Sequence, residues 1–291
     1  MASFMKMLSD LWDKGRFLCV GLDSAYEKLP AHLRPGREAA IGIQAAIEAF
    51  NEEIVRATCH VVCAYKPNFG FYAAQGIPGI SALINTIEII HKLAPGVPVI
   101  LDGKFGDIGN TSAAYAEFAF DVCGADAVTV NPYLGKEALG PFLERTDKGI
   151  FILARTSNPG AGEFQDFFST SYYEGNKTML YQLVAWQVAH QWNKLGNLGL
   201  VAGATSPQEL QSIRFGVGSI PILIPGVGAQ GGDLDAAVTA GINNNGDGFV
   251  INVSRSIIFA SGGEDFAEAA KVEAEKIHAA ICACRREVMA R

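Results

Sequence analysis

The chain has 291 residues, of which 49% are hydrophobic and 18% are charged, with 32 glycines and 12 prolines. These proportions exclude a disordered or collagen-like chain and fit one large or two ordinary globular domains. The formal net charge of −7 and the lack of a lysine or arginine run argue against a nucleic-acid partner. With no long apolar stretch and no signal-peptide core at the start, the sequence predicts a soluble cytoplasmic protein without a membrane partner.

The cysteines are few and carry no metal-binding pattern. Their spacing to the five histidines matches no zinc motif, and a disulfide framework is not expected without a secretory signal. We therefore expect reduced thiols and no metal site. The six are Cys19, Cys59, Cys63, Cys123, Cys282 and Cys284.

Eight short apolar runs rich in β-branched residues recur along the chain, and segments with helical periodicity separate them. Continuous apolar runs are typical of parallel strands buried on both faces. Eight strand–helix units in fewer than 300 residues predict an α/β fold, a single (β/α)8 TIM barrel. The predicted strands are 17–23, 60–66, 97–103, 127–130, 150–154, 199–202, 220–224 and 248–251.

No linker or repeat divides the chain, so we predict one domain over residues 1–291. Residues 1–16 are predicted to form a helix across the barrel bottom, and residues 156–175 a lid-like loop. Thr111 is predicted to cap a helix whose apolar face includes Tyr115 and Val122. A doubly wound open sheet is the alternative fold, but Gly21-Leu22-Asp23 is not the glycine-rich turn that usually opens it.

Charged residues end three of the predicted strands. Asp23 ends the first and Lys66 the second, while Asp102 and Lys104 end the third and Asp107 follows it. Because chemistry in such barrels is performed at the carboxyl ends of the strands, we expect these side chains to converge there. Two carboxylates around one ammonium keep the lysine protonated, which predicts an electrostatic catalytic site rather than isolated surface ion pairs.

A second constellation follows the last two strands. Residues 225–233 are glycine-rich, and Ser254-Arg255 opens a predicted helix. Loops seven and eight are the usual phosphate site of these barrels, and the Arg255 guanidinium can bind a phosphate through two hydrogen bonds. The glycines are expected to offer free backbone N–H groups. The sequence therefore predicts a phosphate-bearing substrate.

Six motifs in this order resemble the orotidine 5′-phosphate decarboxylase family, in particular its longer bacterial subfamily (type 2). The resemblance covers the whole barrel, and its most specific motif is residues 101–111. The six are Gly21-Leu22-Asp23-Ser24, Tyr65-Lys66-Pro67-Asn68, residues 101–111, Ser157-Asn158-Pro159-Gly160, residues 225–232 and Ser254-Arg255-Ser256. A histidine is common in the family where Gly106 stands here.

The resemblance implies a barrel of the ribulose-phosphate-binding type that converts orotidine 5′-monophosphate (OMP) to uridine 5′-monophosphate (UMP) and CO2 without metal or organic cofactor. This is the last step of de novo UMP synthesis. It implies a homodimer with shared active sites, in which Asp107 and Thr111 reach the partner's site. The implied catalytic residues are Lys104, Asp102, Asp107 and Lys66, and the implied substrate-binding residues are Asp23, Thr111, Ser157, Gln230, Gly228, Ser254 and Arg255.

Two other functions remain open at this point. A Schiff-base aldolase or synthase acting on a sugar phosphate would use Lys66 or Lys104 as a nucleophile, although flanking carboxylates make a lysine a poor one. A non-catalytic nucleotide-binding module would need the phosphate site but not the row of charges.

Overall fold

The computed structural model describes residues 2–34, 40–173, 176–228 and 231–291. Its centre is an eight-stranded parallel sheet, in the order β2-β1-β10-β9-β8-β5-β4-β3. Parallel bridges between Tyr65 and Val99 and between Asn68 and Asp102 join β2 to β3. The predicted TIM barrel is therefore confirmed, and the open-sheet alternative is excluded by this closure.

All eight predicted strands are present, with bounds shifted by at most three residues. They are β1 (Leu18–Leu22), β2 (Val62–Pro67), β3 (Ile100–Phe105), β4 (Ala127–Val130), β5 (Gly149–Arg155), β8 (Leu198–Ala202), β9 (Ile222–Pro225) and β10 (Phe249–Val253). β6 (Phe168–Tyr173) and β7 (Asn176–Met179) form a separate antiparallel hairpin.

Helices pack around the barrel and bury its outer face. They are α1 (Phe4–Trp12), α2 (Ala40–Thr58), α3 (Phe69–Ala73), α4 (Gly76–Leu93), α5 (Gly109–Glu117), α6 (Gly135–Ala138), α7 (Gly140–Leu143), α8 (Gly162–Gln165), α9 (Leu180–Gln187), α10 (Pro207–Val217), α11 (Leu234–Gly241), α12 (Arg255–Ile258) and α13 (Phe266–Met289). π-helical turns at Phe118–Val122 and Val188–Trp192 extend α5 and α9.

The first helix closes the amino-terminal end of the barrel. Phe4 and Leu8 of α1 are fully buried, and the Phe4 ring packs edge-on against Phe151 of β5 with centroids 5.6 Å apart. Gly149 leaves room for this ring, because a Cβ there would lie 2.2 Å from a Phe4 ring carbon. With this end sealed by apolar side chains, the opposite end is the one available for chemistry.

Three local predictions need correction. α5 begins at Gly109 with Ile108 at its N-cap, so Thr111 lies inside the first turn and does not cap the helix. The apolar face predicted for this helix is not fully covered, since Tyr115 is 38% and Val122 52% exposed. The segment 156–175 contains α8 and β6 rather than irregular loop alone.

All six cysteines are free thiols, as predicted.

Candidate active site

The carboxyl ends of three neighbouring strands bring four charged residues into one cavity of about 310 Å³. Asp23 follows β1, Lys66 lies in β2, and Asp102 and Lys104 lie in β3. Since 36 residues separate Lys66 from Asp102, their meeting depends on barrel closure. The predicted convergence of these four side chains is present in the structure.

Asp102 is the centre of this group, which we call the charge row (Asp23, Lys66, Asp102, Lys104). Lys66 Nζ donates to Asp102 Oδ2 at 2.7 Å, and Lys104 Nζ donates to Asp102 Oδ1 at 2.6 Å. The Lys66 and Asp102 side chains are only 5% and 9% exposed, whereas Lys104 is 47% exposed. Lys104 is therefore the member of the row that is open to the mouth of the cavity.

Mutual attraction keeps the buried members of the charge row ionised. Burial by itself would lower the pKa of Lys66, but the charges of Asp102 and Asp23 outweigh it and raise that pKa above its usual value. Burial would likewise raise the pKa of Asp102. The two lysines outweigh it and lower that pKa well below its usual range. The cavity thus contains fixed charges at neutral pH.

The residues predicted to bind phosphate lie at the carboxyl ends of β9 and β10. Ser254 and Arg255 line the same cavity, and Ser254 Oγ donates to the Gly21 carbonyl at 3.0 Å. As predicted, α12 begins at Arg255 with Ser254 as N-cap. Gly226 and Val227 complete this side of the cavity.

The prediction of free N–H groups in the glycine loop is wrong for three of its residues. The N–H of Gly228 donates to the Gly232 carbonyl, that of Gly231 to the Gly228 carbonyl, and that of Gly232 to the Gly226 carbonyl. These three donors are used within the loop, and φ is positive at Gly228 and Gly231. Gly228 does not line the cavity, and Gln230 lies outside the described residues.

The loop after β5 carries Ser157 and Asn158 into the cavity. Gly203 permits this path, because a Cβ there would lie 2.8 Å from the Ser157 Cβ. Gln165 closes the base of the loop by accepting from Thr156 N at 2.9 Å and donating to Thr156 Oγ1 at 2.8 Å. The segment predicted as a lid is therefore tied at its base.

Asp107 and Thr111, like Gly228, are predicted site residues that lie outside this cavity. Asp107 accepts from Ile108 N at 2.8 Å, and Thr111 is exposed in the first turn of α5. Neither lines the cavity of its own chain. The structure thus brings Lys104 together with Asp102 but not with Asp107.

Sequence reasoning gave no role to five polar residues that line the cavity: Asn68, Thr129, Thr156, Asn158 and Asn252. Asn252 is 8% exposed, and its Oδ1, like Asp23 Oδ1, has no hydrogen-bond partner among the described residues. The available signal was a single polar residue within or directly after an apolar strand. We expect buried polar atoms of this kind at a ligand site, since burial without a partner is costly.

A fully buried polar cluster lies next to Asp23 in the sequence and is centred on Asn51. Asn51 of α2 accepts from Ser24 Oγ at 2.6 Å and donates to Tyr72 at 3.0 Å and to Thr86 at 2.9 Å. All four side chains are 0% exposed. Because Ser24 adjoins Asp23 and Tyr72 lies in α3, which follows the strand of Lys66, Asn51 connects the segments that follow β1 and β2.

Comparison with known proteins decides the family. Residues 16–271 match the family described as "Orotidine 5'-phosphate decarboxylase / HUMPS family". The chain belongs to this family. It is 45% identical over 284 residues to the orotidine 5′-phosphate decarboxylase of Azoarcus sp. (strain BH72), covering 97% of this chain and 99% of that protein. It is 46% identical over 272 residues to the enzyme of that name from Thermomicrobium roseum, covering 93% and 92%.

A solved structure agrees with this assignment to the orotidine 5′-phosphate decarboxylase family. The Leishmania donovani OMP decarboxylase superposes with a TM-score of 0.79 at 35% identity, covering 96% of this chain and 98% of that one. The chain is accordingly a carboxy-lyase of pyrimidine biosynthesis. No helix in the described ranges combines the length and apolar character needed to cross a bilayer.

Proposed function

We propose that the charge row carries out the conversion of OMP to UMP and CO2, the last step of de novo UMP synthesis. The observation that supports this most directly is the pair of ammonium groups bound to one buried carboxylate, Lys66 and Lys104 on Asp102. In this proposal Lys104 is the proton donor, since it is the exposed member of the row.

Loss of CO2 breaks the bond between C6 of the pyrimidine and its carboxyl carbon, and the electron pair stays on C6. That lone pair lies in the ring plane, out of reach of the π-system, so fixed positive charge must stabilise it. The Lys104 ammonium supplies this charge without reorganisation and then transfers its proton to C6. Lys104 afterwards regains a proton from solvent.

Asp102 has two effects in this scheme. It keeps both lysines protonated, and it faces the substrate carboxylate, so that loss of CO2 relieves a repulsion between two negative charges. Binding energy from the distant phosphate offsets that repulsion in the bound state. Lys66 balances the charge of Asp102 from the buried side.

We assign the remaining contacts from the motifs that the chain shares with the family. Asp23 binds the ribose, Ser157 the pyrimidine, and Ser254 and Arg255 the phosphate, with the backbone at Gly228 nearby. Gln230 would connect pyrimidine and phosphate. Support comes from the positions of Asp23, Ser157, Ser254 and Arg255 around one cavity.

We also propose a homodimer with shared active sites, in which Asp107 and Thr111 complete the partner's site. Their position outside their own cavity supports this arrangement. Large apolar side chains are exposed on the segments after β3 and β4, as expected of a subunit interface. They are Ile108 (60%), Tyr115 (38%), Val122 (52%), Tyr133 (81%) and Leu134 (49%). A cytoplasmic location stays a prediction.

The two other functions find less support. A Schiff-base enzyme requires a neutral lysine amine, but the buried Lys66 has a raised pKa and is bound to Asp102. A nucleotide-binding module without activity would not need the charge row. The curated relatives also carry the name of the decarboxylase.

Turnover of OMP, followed as loss of its absorbance, tests the proposal. The wild-type chain should show turnover, Lys104→Ala should lose nearly all of it, and UMP should still bind to that variant. Lys92→Ala, which removes an exposed lysine at the end of α4, is the matched control and should behave as wild type. A folded Lys104→Ala variant that keeps kcat within about tenfold would contradict the proton-donor role.

A further inference from the structure

Thr129 of β4 lies opposite an irregularity in β3. Leu101 pairs with Val128 and Phe105 with Val130, so the three residues from Asp102 to Lys104 stand opposite Thr129 alone. A bulge of this kind interrupts the ladder and changes the direction of the side chains within it. Here those side chains include two members of the charge row.

The Thr129 hydroxyl takes the place of the missing ladder contacts. It accepts a hydrogen bond from Lys104 N at 2.9 Å and donates one to Asp102 Oδ1 at 2.8 Å. Thr129 is 1% exposed, so both contacts are shielded from water. One hydroxyl therefore connects the backbone of Lys104 to the carboxylate of Asp102.

The backbone at Lys104 needs this support. Its φ is 49°, and among the non-glycine residues that the structure describes it alone has a positive φ. Such conformations persist where surrounding contacts determine them, and they cluster at active sites. The hydrogen bond to Thr129 fixes the peptide that enters Lys104, and with it the origin of the lysine side chain.

The same hydroxyl also orients Asp102. Asp102 Oδ1 accepts from both Thr129 and Lys104 Nζ, which leaves Oδ2 for Lys66. Because a hydroxyl has a single hydrogen and this one points at Asp102, Thr129 has none left to donate to a substrate. Its contribution must act through the two charged residues.

We propose that Thr129 is a positioning residue for the decarboxylation, which holds Lys104 and Asp102 in register for proton transfer to C6. This inference rests on the roles proposed above for these two residues. Loss of the hydroxyl should misplace the ammonium rather than weaken the phosphate and ribose contacts. We therefore expect a decrease in kcat, because small misplacements of reacting groups slow the chemical step strongly.

Thr129→Val tests this, since it keeps the shape of the side chain and removes the hydroxyl. We expect kcat to fall by about 100-fold, with KM and the UMP dissociation constant within about threefold of wild type. Thr129→Ser restores the hydroxyl and should recover kcat to within about fivefold of wild type. If Thr129→Val does not fold, Thr129→Ala takes its place, and we expect the same changes in kcat, KM and the UMP dissociation constant.

Thr58→Val is the matched control. The Thr58 hydroxyl also makes two buried contacts, to the Ile54 carbonyl at 2.7 Å and to the Tyr65 hydroxyl at 2.8 Å, but the residue does not line the cavity. This variant should lose thermal stability while keeping kcat within about twofold of wild type.

The results separate this inference from the assignment of Lys104. If Lys104→Ala is inactive while a folded Thr129→Val or Thr129→Ala keeps kcat within about threefold of Thr129→Ser, the positioning role is wrong and the Lys104 assignment stands. If Lys104→Ala retains turnover, the proposed role of Lys104 itself is wrong. A rise in KM or in the UMP dissociation constant of Thr129→Val at unchanged kcat would also overturn the inference.

Discussion

Lys66 and Asp102 form a buried ion pair across two neighbouring strands, with Nζ and Oδ2 2.7 Å apart. Each charge depends on the other, because removal of Asp102 leaves buried Lys66 with only the more distant charge of Asp23, and removal of Lys66 leaves buried Asp102 with only Lys104. The pair is also the part of the charge row that lies furthest from solvent, with side chains 5% and 9% exposed.

Asp102→Asn should therefore abolish turnover and also destabilise the fold. We expect the free energy of unfolding to fall by about 3 kcal/mol, since Lys66 then stays buried beside a neutral amide. Urea unfolding followed by circular dichroism measures this. The double variant Lys66→Met with Asp102→Asn also removes the buried lysine charge and should recover part of the loss. Equal stabilities for the single and double variants would contradict this account.

Arg255→Ala should raise KM about 10- to 100-fold, because hydrogen bonds from a guanidinium to a phosphate form when the substrate binds. kcat should fall as well if phosphate binding energy closes the β5 loop over the cavity. Steady-state kinetics measure both. Arg286→Ala on the exposed side of α13 is the control and should match wild type. An unchanged KM in Arg255→Ala would show that the phosphate binds elsewhere.

The proposed shared site makes a prediction about mixed dimers. Lys104→Ala and Asp107→Ala homodimers should each be nearly inactive. In a hybrid dimer of the two variants, one site carries both substitutions and the other site carries neither. Since half of the dimers are hybrids, mixing under subunit exchange should restore activity to roughly a quarter of wild type. If mass spectrometry confirms exchange and activity stays at the level of the parents, Asp107 serves the site of its own chain.

The Asn51 cluster predicts a difference between two similar substitutions. Ser24→Ala and Thr86→Val each remove one buried hydroxyl that contacts Asn51, and each should lower the free energy of unfolding by about 1–2 kcal/mol. Because Ser24 adjoins Asp23, only Ser24→Ala should also raise KM for OMP, by about threefold or more. Equal KM values would mean that the cluster stabilises the fold without orienting Asp23.

His278 should make the fold sensitive to mild acid. Partial burial, Arg16 and His60 lower its pKa from 6.5, so the unfolded chain binds a proton there more readily than the folded chain. The free energy of unfolding should therefore decrease as the pH falls through the ordinary histidine range, about 7 to 5. Urea midpoints at several pH values should show a smaller decrease for His278→Gln. An identical pH dependence in the variant would contradict this.

The sequence by itself determined the strands and the chemistry that follows them. Runs such as 127–130 are recognisable because burial on both faces of a parallel strand requires consecutive apolar residues, and that requirement is local. Asp102 and Lys104 could be placed at the catalytic end for the same reason, since they directly follow such a run. Motif order then carried the resemblance to the decarboxylase family.

The tertiary structure alone decided which of these groups meet and how they are oriented. The contact between Lys66 and Asp102 depends on barrel closure, and the orientation of Lys104 depends on a bulge opposite Thr129. From the sequence, Thr129 cannot be distinguished from an ordinary strand residue, nor Asn51 from an ordinary helix residue. The glycine loop shows the same limit, because its composition does not reveal that its N–H groups are used internally. Hydrogen-bond partners across strands are set by register, a property of pairs of distant segments that the pattern of one segment does not encode.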